Sequence, residues 1–268
     1  MSDSNAVIQT SMLSRTFGSL TAVRDLNLVV PSGAIFGVLG PNGAGKSTTI
    51  KMLTTLLPPT AGRAAVAGYD IARQAADVRR HIGYVPQLLS ADGALTGREN
   101  LELSASLYRV PRTERRRRID DALAFMDLTN SANQVVRTYS GGMIRRLELA
   151  QAMLHEPTVL FLDEPTIGLD PLARRAVWDR LLQLKANGRM TVLLTTHDME
   201  EAEALCDAVA IMHQGTIARS GRPADLRAAL GVDATLEDVF ADAVGGAIEE
   251  GGSYRDVGRV RQTARRLG

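Results

Sequence analysis

The chain has a single cysteine, Cys206, in 268 residues. An internal disulfide is therefore excluded; a lone thiol fits a reducing compartment and reads first as a small buried apolar side chain. Aromatic residues make up only 4% of the chain, and positive and negative charges nearly cancel, leaving a formal net charge of +1. No field of one sign is present to attract nucleic acid, so partners have to be read from motifs. Long apolar runs are also missing: a bilayer-crossing helix needs ~20 consecutive apolar residues, and runs such as 158–162 have only strand length. Residues 1–10 carry Asp3 and lack the basic and apolar blocks of a signal peptide. The expectation is a cytoplasmic protein with no membrane span and no nucleic-acid partner.

What is present suits an ordinary globular protein: 45% hydrophobic and 23% charged residues, in a length near the upper end of what one core supports. Apolar runs of strand length recur at 34–39, 82–85, 158–162, 191–195 and 208–212, and read as strands buried on both faces. Helical patterns lie between them at 47–56, 171–185 and 199–206, the second with Asp170 as N-cap, Pro171 at its first position and Gly188 beyond its end. Strand and helix in alternation predict an α/β fold around a largely parallel sheet.

Residues 88–156 contain helical patterns and no buried-strand run, and read as an inserted helical lobe. Thr96 and Glu99 form a capping-box pattern at one helix start, and 113–126 and 140–154 supply two more helices. The basic run Arg115 to Arg118 falls in the second and reads as a solvated face. After Gly221 come a short helix near 225–230 and a capping pattern at Thr235 and Asp238. We therefore expect one domain over 1–225 and a short C-terminal extension over 226–268. Its tail from about 245 has few large apolar residues and is expected to be poorly ordered.

The chemistry concentrates in a few motifs. Gly40, Pro41, Asn42, Gly43, Ala44, Gly45, Lys46 and Ser47 fit the phosphate-binding pattern G-x-x-x-x-G-K-[ST], followed by Thr48, with a buried strand before and a helix after. The glycines let the backbone wrap a phosphate chain and turn N–H groups inward at a helix N-terminus that already favours anions. Lys46 offers a charge to the β- and γ-phosphates, and Ser47 a hydroxyl to Mg²⁺, an ion that takes oxygen ligands. A second apolar strand ends in Asp163 and Glu164. Two carboxylates there can be a plain strand-to-loop transition; beside a phosphate loop they fit a metal-holding Asp163 and a water-polarising Glu164.

Phosphate loops of this kind serve many nucleotide enzymes, so the motifs to this point give a nucleotide-binding α/β protein. Tyr139, Ser140, Gly141, Gly142 and Met143, directly before a helix and upstream of Asp163, resemble the signature motif of ATP-binding-cassette (ABC) ATPases. Val85-Pro86-Gln87 resembles the Q-loop of that family, Gly168-Leu169-Asp170 its D-loop, and His197 its switch histidine. Phe17 occupies the place of the aromatic that stacks on adenine; the alternative is a core phenylalanine. His197 taken alone would be read as structural. The signature departs from the commoner Leu-Ser-Gly-Gly-Gln in Tyr139 and Met143, which removes a side-chain amide. That variant and the run 234–240 are similar to the daunorubicin-resistance-type subfamily, although 235–240 also reads as a capped amphipathic helix.

The resemblance spans roughly 7–221. It implies a P-loop NTPase (RecA-like) core with a largely parallel sheet, an N-terminal antiparallel β part and an inserted α-helical subdomain. It implies ATP and Mg²⁺ as cofactors, with Ser47, Gln87 and Asp163 at the metal and Glu164, His197 and Gln87 in catalysis. ATP would contact Phe17, Gly40 to Thr48 and, from a second copy, Ser140, Gly141 and Gly142, in a head-to-tail homodimer. The partner implied is a separate ABC-2-type permease exporting a drug, antibiotic, lipid or polysaccharide, with this chain on the cytoplasmic face of the cell membrane. An importer subunit and a soluble ABC machine remain alternatives.

Overall fold

A computed structural model describes residues 6–245 apart from 187 and 189. Expectations for the first five residues and for 246–268 lie outside the described residues. Two sheets organise the chain. The first is antiparallel, in the order β2 (Leu20–Pro31), β1 (Ala6–Phe17), β4 (Ala61–Val66), β5 (Tyr69–Asp70). The second is parallel except at one edge. Its order is β10 (Thr216–Gly221), β9 (Ala208–His213), β3 (Ile35–Leu39), β8 (Thr191–Thr196), β7 (Val159–Asp163), β6 (Ile82–Val85), and β10 runs antiparallel to β9.

The parallel strands read as continuous apolar runs because both of their faces are covered. Along β3, Ile35 and Leu39 enter one core while Phe36 and Val38 enter the other; along β7, Leu160 and Leu162 oppose Val159 and Phe161 in the same way. One core lies between the two sheets and takes in Ile50, Met52 and Leu53 of α1 (Lys46–Leu53) and Val78 of α2 (Ala75–His81). The other lies under α3 (Gly97–Leu107), α4 (Arg112–Phe125), α5 (Gly141–Met153), α6 (Pro171–Ala186) and α7 (Met199–Leu205). No strand longer than an isolated bridge occurs between Leu88 and Thr158. Leu101, Leu123 and Leu147 of that helical lobe share one contiguous core with Leu160 and Leu162 of the sheet. The chain closes, among the described residues, with α8 (Pro223–Ala228) and α9 (Leu236–Gly245).

Local signals explain most element edges. Glu99 N–H donates to Thr96 Oγ1 at 3.2 Å while Thr96 N–H donates to Glu99 Oε2 at 2.8 Å, a complete capping box at α3. Thr235 and Asp238 repeat it before α9. The helix expected over 47–56 is shorter, because Thr55 adopts a left-handed φ of 63° just past its end. The basic run on α4 is only partly a solvated face. Arg116 and Arg117 are exposed, but Arg115 Nε donates to Val110 O at 2.8 Å and Arg118 reaches Leu154 O at 3.0 Å. Arg118 thus ties α4 to the end of α5. Among the described residues no helix is long and apolar enough to cross a membrane.

Candidate nucleotide site

The loop of Gly40 to Gly45 leaves the C-terminal end of β3 and runs into α1, at the edge where open parallel sheets bind ligands. Gly45 sits immediately before α1 with φ of 105°, and a Cβ there would stand 2.5 Å from Ala22 O, so only glycine fits. Phe17, Leu20, Ala22, Pro41, Asn42, Gly43, Ala44, Gly45, Lys46, Ser47, Thr48, Gln87 and Glu164 line one cavity of about 470 Å³. The alternative of a core phenylalanine fails at position 17: Phe17 is 43% exposed and lies on that cavity, with the Arg15 guanidinium 4.5 Å over its ring.

Lys46 is buried beside this cavity. Its Nζ donates to Gly40 O at 2.7 Å and Pro41 O at 3.2 Å, and pairs with Glu164 Oε1 at 3.1 Å. Glu164 is 4% exposed, and three side chains converge on it. Besides Lys46, Gln87 Nε2 approaches its Oε2 at 3.4 Å and His197 Nδ1 lies 3.2 Å from the same oxygen. Glu164 itself holds a left-handed φ of 49°, a conformation that costs a glutamate on the order of 1–2 kcal/mol. Two bonds hold its N–H there, to Thr195 O at 3.1 Å and Thr195 Oγ1 at 3.0 Å.

Asp163 is the last residue of β7, and its Oδ1 accepts from Ser47 Oγ at 3.0 Å and from Thr195 Oγ1 at 2.6 Å. Ser47 and Asp163 therefore present two hard oxygen donors to one point, a donor set that suits Mg²⁺. Among the described residues no group of three His, Cys, Asp or Glu could hold a metal ion. An ion here would accordingly share its remaining ligands with phosphate oxygens and water.

The structure brings together the loop of Gly40 to Thr48, Phe17, Gln87, Asp163, Glu164 and His197. It does not bring Ser140, Gly141 and Gly142 to the cavity. Ser140 and Gly141 are exposed, and Ser140 caps α5 by accepting from Met143 N–H at 3.3 Å. Met143 packs its side chain on the helical core, and the bond to Ser140 uses only its backbone. Gly142 is buried, and a Cβ on it would stand 2.7 Å from Ala173 Cβ, so this glycine also lets α5 approach α6 closely.

Sequence reasoning missed Thr195, which holds both Asp163 and the Glu164 backbone. The available signal was two neighbouring parallel strands ending in Asp163 and in Thr195-Thr196, but their pairing across β7 and β8 is a tertiary fact. It also missed Glu201, buried below the loop after Glu164, which accepts from Thr166 Oγ1 at 2.7 Å and Trp178 Nε1 at 3.0 Å. Burial pushes the Glu201 carboxyl above its ordinary range against the pull of hydrogen bonds from Thr196, Thr166 and Trp178.

Comparison with known proteins agrees with this geometry. The ABC transporter family model matches residues 23–167. The "Daunorubicin resistance ATP-binding protein DrrA3" of Streptomyces coeruleorubidus is 45% identical over 219 residues, 82% of this chain and 69% of that one. The "Nod factor export ATP-binding protein I" of Cupriavidus pinatubonensis is 41% identical over 221 residues, 82% of this chain and 68% of that one. A solved "ATP binding subunit of ABC transporter" superposes with a TM-score of 0.79 at 32% identity, covering 89% of this chain and 99% of that one. A cavity walled by a phosphate loop and a braced carboxylate thus has its relatives among transport ATPases, and the chain belongs to the ABC transporter family as an ATP-binding and ATP-hydrolysing subunit.

Proposed function

We propose that the chain is the ATPase of an exporter, that Glu164 orients the water that attacks ATP, and that two copies close head to tail over two ATP molecules. The observation that carries the catalytic part is the convergence of Lys46, Gln87 and His197 on the buried Glu164 at one end of the phosphate-loop cavity.

The residues divide the work as follows. Phe17 offers its ring to the adenine, and the backbone N–H groups from Asn42 to Thr48 face the phosphates at the start of α1. Lys46 exchanges Glu164 for the β- and γ-phosphates when ATP enters, which frees the carboxylate to accept a hydrogen bond from water. His197 and Gln87, already on the Glu164 carboxylate, then flank the γ-phosphate. Ser47, Asp163 and Gln87 would hold Mg²⁺, which would supply positive charge against the developing negative charge of phosphoryl transfer. Thr195 holds Asp163 and Glu164 at fixed spacing, so the metal side and the water side of the site are one rigid piece.

The exposed Ser140 turn supports the two-copy reading. A helix start with an exposed serine and glycine favours an anion, yet it stands away from the chain's own cavity, so the γ-phosphate it suits is that of a second copy. ATP then acts as the adhesive between copies, and hydrolysis loosens them.

A transporter subunit without a membrane-crossing helix among its described residues works with a transmembrane partner. We assign that partner to the ABC-2 type and place the complex at the cytoplasmic face of the cell membrane, exporting a drug, antibiotic, lipid or polysaccharide. Relatives named for drug resistance and for export support this direction. The test is purification of Glu164→Gln with ATP from detergent-solubilised membranes. The expected companion is a polytopic ABC-2-type permease; ribosomes, nucleic acid or a solute-binding import system in its place would contradict the exporter reading.

A further inference from the structure

Arg145 and Glu148 form a buried ion pair outside the nucleotide cavity, 2% and 3% exposed on α5. They pair at 3.0 Å, and the hydrogen bonds of both side chains go to each other and to residues outside the phosphate loop. Their remaining partners lie on one segment, the loop that leaves β6. One amino group of Arg145 donates to Pro86 O at 2.7 Å and the other to Gln87 O at 2.9 Å. Glu148 Oε1 accepts from Ser90 Oγ at 3.0 Å and from Ser90 N–H. The loop between these bonds has no apolar anchor of its own, since Leu88 is 81% and Leu89 is 50% exposed. Its position is therefore set by the ion pair rather than by packing.

A buried ion pair is weak support for stability as such, because desolvation offsets the attraction. It is strong support for geometry. The planar fork of arginine meets two carbonyls and a carboxylate together, which a lysine ammonium on a flexible stem does not reproduce. Arg145 stands one turn beyond Gly141 on the helix that Ser140 caps. The residue whose carbonyl it grips, Gln87, extends its side chain to Glu164. One rigid connection thus joins the γ-phosphate end of the chain's own site to the turn exposed to a second copy.

We propose that Arg145 and Glu148 are positioning residues that make the Gln87 loop and the Ser140–Gly142 turn move as one body, so that ATP in a chain's own site sets how that chain grips the ATP of its partner. The proposal rests on the two-copy reading above. In linkage terms it makes the clamp the carrier of the coupling between the two ATP sites. ATP draws Lys46 from Glu164, Gln87 follows the changed carboxylate, and its backbone carries Arg145 and the start of α5 with it.

The test uses the full-length chain as wild type, Arg145→Lys and Glu148→Gln. Three quantities are measured for each: ATP affinity of the single chain, the ATP-concentration dependence of hydrolysis, and ATP-dependent dimerisation in a Glu164→Gln background. For wild type the Hill coefficient should lie well above 1, toward the ceiling of about 2 for two sites. In both variants it should fall to about 1 and dimerisation weaken at least about tenfold, with single-chain ATP affinity within about twofold of wild type. An ion pair that merely stabilises the fold would be rescued by lysine, so wild-type cooperativity in Arg145→Lys overturns the proposal. Loss of ATP affinity together with cooperativity, in both variants, also overturns it by showing a general structural role. Non-cooperative hydrolysis by wild type, with Glu164→Gln monomeric in ATP, would instead remove the two-copy reading and the clamp with it.

Discussion

At the scale of single residues, Lys46 and Glu164 are the two groups on which the site turns, and each is now the other's counter-ion at 3.1 Å. Lys46→Ala removes the charge opposite the β- and γ-phosphates. Hydrogen bonds to charged groups contribute about 1.5–3 kcal/mol each, so ATP affinity should fall at least about tenfold in equilibrium titration. The substitution also leaves Glu164 buried without its cation, which destabilises the site independently of nucleotide. The double variant Lys46→Ala/Glu164→Gln separates the two effects: melting recovers while ATP affinity stays weak. Recovery of ATP affinity along with melting would show that Lys46 serves Glu164 rather than phosphate. The phosphate loop and the Asp163-Glu164 pair were readable from sequence because each is a local run with its own strand. Thr195 was not readable, since it meets Asp163 only through strand pairing across 32 positions.

At the scale of elements, α6, α7 and the loop after β7 meet around Glu201. Its burial raises the carboxyl above the ordinary value of 4.5, so the folded protein holds this proton more tightly than the unfolded chain does. Below pH 4.5 both states are protonated and the group has no effect. As pH rises past that value the unfolded chain releases the proton first, and stability falls until the folded group also ionises. Glu201→Gln keeps an Oε1 acceptor for Thr166 and Trp178 and cannot ionise. The melting temperature of wild type should therefore decline relative to Glu201→Gln as pH increases above 4.5, in paired thermal scans. Parallel curves would mean that Glu201 does not carry the proton into the fold. Helix positions at this scale were legible from caps and periodicity, as at Thr96, Glu99, Pro171 and Thr235. The role of the basic run was not, because Arg118 faces Leu154 O only once α4 lies against α5.

At the scale of the whole molecule, the parallel sheet, the antiparallel sheet and the helical lobe place the cavity and the Ser140 turn on separate parts of one chain. Alternating apolar runs made the sheet legible. The separation of the two half-sites was expected through the family resemblance alone, because sequence distance does not say which motifs share a cavity. If a second copy completes the site, Glu164→Gln should double in mass on adding ATP, measured by light scattering. Ser140→Arg in the same background should prevent it, because Ser140 is exposed and a bulky cation there would block the approach without disturbing the core. Doubling that persists in Ser140→Arg would place the contact elsewhere.

Hydrolysis at this site turns on Glu164 acting on water rather than on nucleotide affinity. The direct measurement is single-turnover hydrolysis by Glu164→Gln beside wild type, with ATP binding measured on the same preparations. The expected result is ATP affinity within about threefold of wild type and hydrolysis slower by about 10²–10⁴, the contribution of a positioned general base. Hydrolysis at the wild-type rate with ATP fully bound would contradict it, and would return Glu164 to the role of a counter-ion for Lys46.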